Sequence, residues 1–184
     1  MPSSPRLTLR AGAPDDVRDL VRMHRRCSQL SLTRRYLAPM PVLDARLAGR
    51  LLCPPGGFSF VAERGGVLAG IATVAPYVDA DSWGEVSDPH SPLRGDMGQL
   101  VADQVQRQGV GTSLLLASAR EAGRRDFEEL AMTVHPDNPA VLRLVYAAGL
   151  RAHVGMRDGL THIKVSLDGV RRSEPRRRPA AVAG

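Results

Sequence analysis

The residues best suited to chemistry lie in Gln106-Arg107-Gln108-Gly109-Val110-Gly111, which runs on into Thr112-Ser113-Leu114-Leu115. A glycine-led turn that opens an amphipathic helix exposes several backbone N–H groups with no partner inside the helix. Together with the helix dipole, these donors suit phosphate oxygens. Glycine there lets a ligand approach the main chain without meeting a side chain. No Gly-Lys-Ser/Thr follows, so this is not a Walker-type loop, and no Gly-x-Gly-x-x-Gly opens an early βαβ unit. A purely structural strand-turn-helix stays open on these residues alone. The five histidines, His24, His90, His135, His153 and His162, show no metal-ligand spacing, so no metal is expected. Cys27 and Cys53 sit among apolar residues and read as buried free thiols rather than a disulfide framework.

Periodicity supplies the elements that must hold the turn. Residues 6–10 alternate Leu7 and Leu9 with polar neighbours, the period of a strand. Pro14 opens a helix with Asp15 and Asp16 in its first turn, where the dipole favours anions. Val17, Leu20, Val21, His24 and Cys27 form one helical face. Ser31 is placed as the cap of a short second helix ending at Tyr36. Residues 43–52 form a third, stopped by Pro54-Pro55-Gly56-Gly57. Phe58, Phe60 and Ala62 alternate with Ser59 and Val61, and Arg64-Gly65-Gly66 turns the chain into the apolar run 67–75, a hairpin signal.

A polar loop covers residues 76–93, then a strand lies near 96–102 and a helix runs from Gly109 to about Arg124. A strand at 129–134 leads to a helix at 139–148, with Asn138 at its N-cap and Gly149 at its end. Strands at 151–156 and 161–167 follow, separated by Arg157-Asp158-Gly159. The order predicts an α/β (α+β) domain with a mixed, mostly antiparallel central sheet flanked by helices. Residues 6–168 make the domain, between a flexible N-terminus (1–5) and a disordered Arg/Pro/Ala-rich tail (169–184).

Charge narrows the partners. The formal net charge is +6, which invites a nucleic-acid reading. From Arg171 onward, however, five arginines stand against one glutamate, a net of +4 that leaves +2 on the body. A tail of that composition cannot build a core, and nucleic acid is not the expected partner. No apolar run approaches the ~20 residues a membrane helix needs. The first residues lack the apolar stretch of a secretory signal. A cytoplasmic protein is expected.

The spacing Gln/Arg-x-x-Gly-x-Gly, reached from an apolar strand through Val101-Ala102-Asp103, resembles the pyrophosphate loop of the Gcn5-related N-acetyltransferase (GNAT) family. Asn138 through Gly149-Leu150 is similar to that family's later helix and its end. Ser31-Leu32-Thr33-Arg34-Arg35-Tyr36 and Pro39-Met40-Pro41 resemble a segment of the bacterial Pat-type protein-lysine acetyltransferases. The likeness spans roughly residues 6–167.

The resemblance implies an acetyl-CoA-dependent enzyme that acetylates a primary amine by direct transfer, protein lysine first and a small amine next. The backbone of Gln106, Arg107, Gln108, Gly109, Val110, Gly111 and Thr112 would hold the CoA pyrophosphate. The main chain of Leu100 and Val101 would pair with the pantetheine arm, and Asn138 would hydrogen-bond the cofactor. The family's catalytic carboxylate aligns with Asp96, one methylene shorter than the subgroup's Glu. Glu85, in the polar loop after Trp83, is the second candidate base. His135, at a strand end, is a candidate proton shuttle. The family's acidic Tyr position holds Val145, with Tyr146 beside it and about 100° round the helix. A homodimer is compatible with the sequence. The competing reading is a catalytically weak acyl-CoA-binding sensor or partner-binding module.

Overall fold

The computed structural model describes residues 6–39, 42–77 and 93–172. The alternating N-terminal run makes β1 (Leu7–Ala11). The hairpin signal makes β2 (Phe58–Arg64) and β3 (Val67–Tyr77). With β4 (Arg94–Val101) they form an antiparallel meander. Helix α4 (Val110–Arg124) then carries the chain to β5 (Glu129–Val134), which lies parallel to β4. A parallel neighbour requires such a crossover, whereas antiparallel strands need only a turn. After α5 (Pro139–Ala147) come β6 (Ala152–Arg157) and β7 (Leu160–Ser166). The seven strands lie in the order β1-β2-β3-β4-β5-β7-β6, mixed and mostly antiparallel as expected.

Each face of the sheet has its own core. Leu114, Leu115 and Ala119 of α4 and Val145 of α5 pack on Met97, Leu130 and Ile163. Each fully buried leucine removes enough apolar surface to contribute about 1.5–3 kcal/mol. On the other face lie α1 (Val17–Arg25), α2 (Gln29–Tyr36) and α3 (Ala45–Leu52). Leu20, Met23, Leu32 and Leu52 there cover Val61, Ile71 and Leu100. Strand β4 thus sends Met97 to the α4 side and Leu100 to the α1–α3 side, the alternation a strand imposes.

Several local expectations change. Pro14–Asp16 is a 3-10 turn leading into α1. Asp16 is buried because it takes a bidentate pair from Arg10 (2.6 and 2.7 Å) and the Ala13 N–H at 2.8 Å. The cap of α2 is Ser28, which accepts from the Ser31 N–H, so Ser31 lies inside the helix. Cys27 is buried, but Cys53 is exposed where α3 ends. A last helix, α6 (Asp168–Arg172), runs past the boundary expected at residue 168. Residues 173–184 lie outside the described residues, as do 1–5.

Candidate active site

Pairing between β4 and β5 covers only three residues, Arg94–Asp96 against Glu129–Ala131. Beyond that point β4 stays with β3 as far as Val101, and β5 stays with β7 as far as Val134. The two strands part, and a cleft of about 990 Å³ opens between them. It is bounded by β4, β5, α2, the N-terminus of α4 and the start of α5.

The glycine-led turn forms one end. Gly109 is the N-cap of α4 at φ +81°, a left-handed conformation that disfavours any side chain. Arg107 is also left-handed, at φ 58°. The first intrahelical bond of this turn runs from Ser113 N–H to Gly109 O. The N–H groups of Val110, Gly111 and Thr112 therefore have no partner within the helix. No acidic residue occupies that first turn. A Cβ on Gly111 would lie 2.8 Å from both Gln99 Nε2 and Leu144 Cδ1, so a side chain there would have to displace the ends of both. Free amides, a bare approach and the positive helix end together fit a diphosphate.

Side chains hold the turn in place. Gln106 Nε2 donates to Val101 O, Ser31 Oγ and Asp103 Oδ1. Asp103 also accepts from Ser28 N–H at 2.6 Å, Ser28 Oγ at 3.1 Å and Ser31 Oγ at 2.6 Å. Burial pushes the Asp103 carboxyl up, but these hydrogen bonds outweigh it and leave the group below its ordinary value. The start of α2 is thereby tied to the turn. Gln108 is engaged too, accepting from Arg64 and donating to Gln104 O.

The direction of the β4 main chain follows from one bond, Ala102 N–H to Ala69 O, which points Ala102 at β3. By alternation, Leu100 and Gly98 also turn their peptide groups toward β3, while Met97, Gln99 and Val101 face the opening. The Leu100 main chain is thus turned away from the opening, and that of Gln99 toward it. Leu100 is buried in the α1–α3 core. Val101 faces the opening as expected, and its carbonyl already accepts from Gln106.

Asp96 occupies the last paired position of β4, at the apex of the wedge. It lines the cleft and is open to water, yet protein surrounds it. Burial raises its carboxyl above the ordinary value, and the charge of Arg35 partly opposes that rise. Glu85 falls outside the described residues. Asn138 is at the N-cap of α5, but its side chain makes no cap hydrogen bond, so the amide is not used by the helix. His135 does not line the cleft; its Nδ1 accepts from the Asp137 N–H within the turn before α5. Val145 is fully buried and Tyr146 is 64% exposed, so α5 offers no phenol to the cleft.

The structure adds residues that the sequence reading passed over. Arg35 and Tyr36 of α2 line the cleft, with the Arg35 Cζ 5.2 Å from the Tyr36 ring centroid. Arg34 reaches across to donate to Asp137 O at 2.8 Å, joining α2 to the turn after β5. A signal for Arg35 was present in Gly98, since an interior strand glycine marks a close approach by another group.

The site is thus a mixed sheet whose parallel neighbours part beside a glycine-led helix N-terminus. Residues 19–149 match the family model described as Acetyltransferase (GNAT) family, and the chain belongs to that family. It is accordingly an N-acetyltransferase that uses acetyl-CoA.

Among solved structures, the chain is similar to the GNAT domain of S. lividans PAT, at 23% identity and TM-score 0.74. That match covers 86% of this chain and 89% of the other. It is also similar to yncA, a putative acetyltransferase from Salmonella typhimurium seen with its cofactor acetyl-CoA. The figures there are 21% identity, TM-score 0.66, and coverage of 88% and 94%. A ribosomal-protein-alanine N-acetyltransferase from Brucella melitensis is similar at 19% identity and TM-score 0.61, covering 86% and 97%. A comparison with curated proteins gave no match. Among the described residues there is no helix long and apolar enough to cross a membrane. Nor do they contain a group of three or more His, Cys, Asp or Glu able to hold a metal ion.

Proposed function

We propose that Asp96 is the base of a direct transfer in which a primary amine takes the acetyl group from acetyl-CoA. The observation that carries this reading is the position of Asp96 at the apex of the wedge, where β4 and β5 begin to part. A lysine-like amine has a pKa of about 10.4 and is almost wholly protonated near neutrality. It must lose a proton before it can attack. A carboxyl raised by burial is a stronger base than an exposed one, and a water can bridge the methylene that Asp lacks relative to Glu.

Acetyl-CoA supplies the thioester carbonyl and a leaving thiolate. The ammonium gives one proton to Asp96, which passes it to solvent; the amine nitrogen bonds to the carbonyl carbon, the C–S bond breaks, and the second proton lost from nitrogen goes to the departing thiolate. A thiol pKa of about 8.5 makes the thiolate a tolerable leaving group without a phenol from α5. The amides at the start of α4 and the 106–109 turn hold the pyrophosphate. The main chain at Gln99 and Val101 pairs with the pantetheine arm, and the Asn138 amide hydrogen-bonds the cofactor.

Two acceptor classes fit. A protein lysine is supported by the likeness to the Pat-type GNAT domain and by residues 31–36; a small amine is the other. Asp96→Asn should lower kcat/KM for the amine by about 10²- to 10⁴-fold, with acetyl-CoA binding by calorimetry unchanged. A variant as fast as wild type would remove Asp96 from the mechanism.

A further inference from the structure

Arg35 is a cation of the cleft that the charge of Asp96 only partly offsets. Its guanidinium lies flat against β4, where a Cβ on Gly98 would come within 2.2 Å of Cζ and Nη2. The side chain is half-buried, and burial lowers its pKa against the opposing charges of Tyr36 and Asp96. Among the described residues it has no hydrogen-bond or ion-pair partner; its ring contact is Tyr36. The half-buried side chain lines the cleft, within reach of a ligand there. The neighbouring Arg34 differs, because it is already engaged with Asp137 O.

A buried charge without a partner is costly, and the cost falls when an anion enters beside it. Asp96 lies two residues before Gly98 on the same face of β4, a step of about 7 Å along the strand. The cleft therefore offers a carboxylate and a guanidinium a short distance apart, in the order needed for an ammonium beside a carboxylate. A bare cationic side chain would meet Arg35 with no compensation.

We propose that Arg35 is a specificity residue that pairs with a carboxylate of the acceptor, so that the favoured acceptors are small amines bearing a carboxylate within a few bonds of the nitrogen. This rests on the reading of the cleft as the site of acetyl transfer. Arg35 is placed to form a two-pronged, charge-assisted pair with such a group, while the amine lies toward Asp96.

The test separates binding from turnover. Calorimetry in the presence of CoA would titrate a panel of N-acetyl-α-amino acids and their methyl esters into wild type, Arg35→Met and Gly98→Ala. Gly98→Ala keeps the charge but pushes the guanidinium aside, and thermal unfolding shows which variants are folded. Wild type should bind acids about 10- to 100-fold more tightly than esters. Both variants should lose that preference. In kinetics, the free amino acids should show the same preference over their esters, mainly in KM, and should outrun a lysine peptide. Equal binding of acids and esters across the panel, absence of binding included, overturns the proposal. So does a preference that survives in both folded variants, or a lysine peptide that outruns every amino acid. Selective acid binding without any turnover would instead sustain Arg35 and defeat the transfer reading.

Discussion

At the α4 end of the cleft, the groups open to a ligand are the main chain of Gly109, Gly111 and Thr112, from one short stretch of the chain. At the α2 end they are the side chains of Asp96 and Arg35, contributed by a strand and a helix far apart in sequence. The first end depends on backbone conformation and on the absence of side chains. The second depends on particular functional groups that the tertiary fold brings together. A main-chain site tolerates changes of residue type as long as the glycines stay, whereas a side-chain site changes its chemistry with a single substitution. The difference teaches where a family's shared function resides and where its members are free to diverge.

The largest effect should come from destroying the main-chain end. Gly109→Glu with Gly111→Glu forces a side chain onto a left-handed residue and another into Gln99 and Leu144. Wild type at a hundredfold excess of acetyl-CoA over its Kd should gain about 2.7 kcal/mol, seen as a thermal shift of several degrees. A folded double variant should gain none; retention of the shift would move the cofactor site elsewhere.

Next is the strut between the two ends. Asp103→Ala leaves Ser28, Ser31 and Gln106 without their shared acceptor, and stability should fall by about 1–3 kcal/mol in urea denaturation. The pH dependence has a definite sign. The folded Asp103 carboxyl lies below its unfolded value, so its contribution is present above the unfolded pKa and is lost as pH falls through the folded one. The gap between wild type and variant should therefore close in acid. An unchanged gap would mean that the two ends are not coupled through this group.

A smaller change is expected from Asn138→Ala. The loss of one hydrogen bond of about 1 kcal/mol should raise KM for acetyl-CoA roughly fivefold and leave kcat unchanged. Tyr146→Phe should alter neither, since the ring is exposed and outside the cleft. A fall in kcat with that variant would place an acid where the geometry shows none.

The same contrast explains what the sequence could disclose. The turn at Gly109 and Gly111 was legible because a glycine-led helix start is a short contiguous pattern whose glycines have a steric reason. Asn138 was placed correctly at the start of a helix, but the sequence could not show that its amide would be left unused by the cap. Leu100 was expected to offer its main chain at the cleft, but alternation turns it to β3 and turns Gln99 to the opening, because a strand's hydrogen-bonding edge is fixed only once its partner is known. Arg35 was quoted as part of a motif without a role, since nothing local to α2 says that Gly98 lies beneath it. Asp96 was reached by resemblance alone; its place at the apex depends on where β5 stops pairing.

Strand β4 carries one more consequence. At about 3.3 Å per residue, the five steps from Val101 to Asp96 span roughly 17 Å. The strand is therefore a ruler, fixing how far the Asp96 carboxylate stands from the glycine-led turn. A single inserted residue would not simply lengthen it. It would swap faces, sending the carboxylate under α4 and turning the wrong peptide groups to the opening. The reach of this cleft can be redesigned only two residues at a time, in increments of about 7 Å.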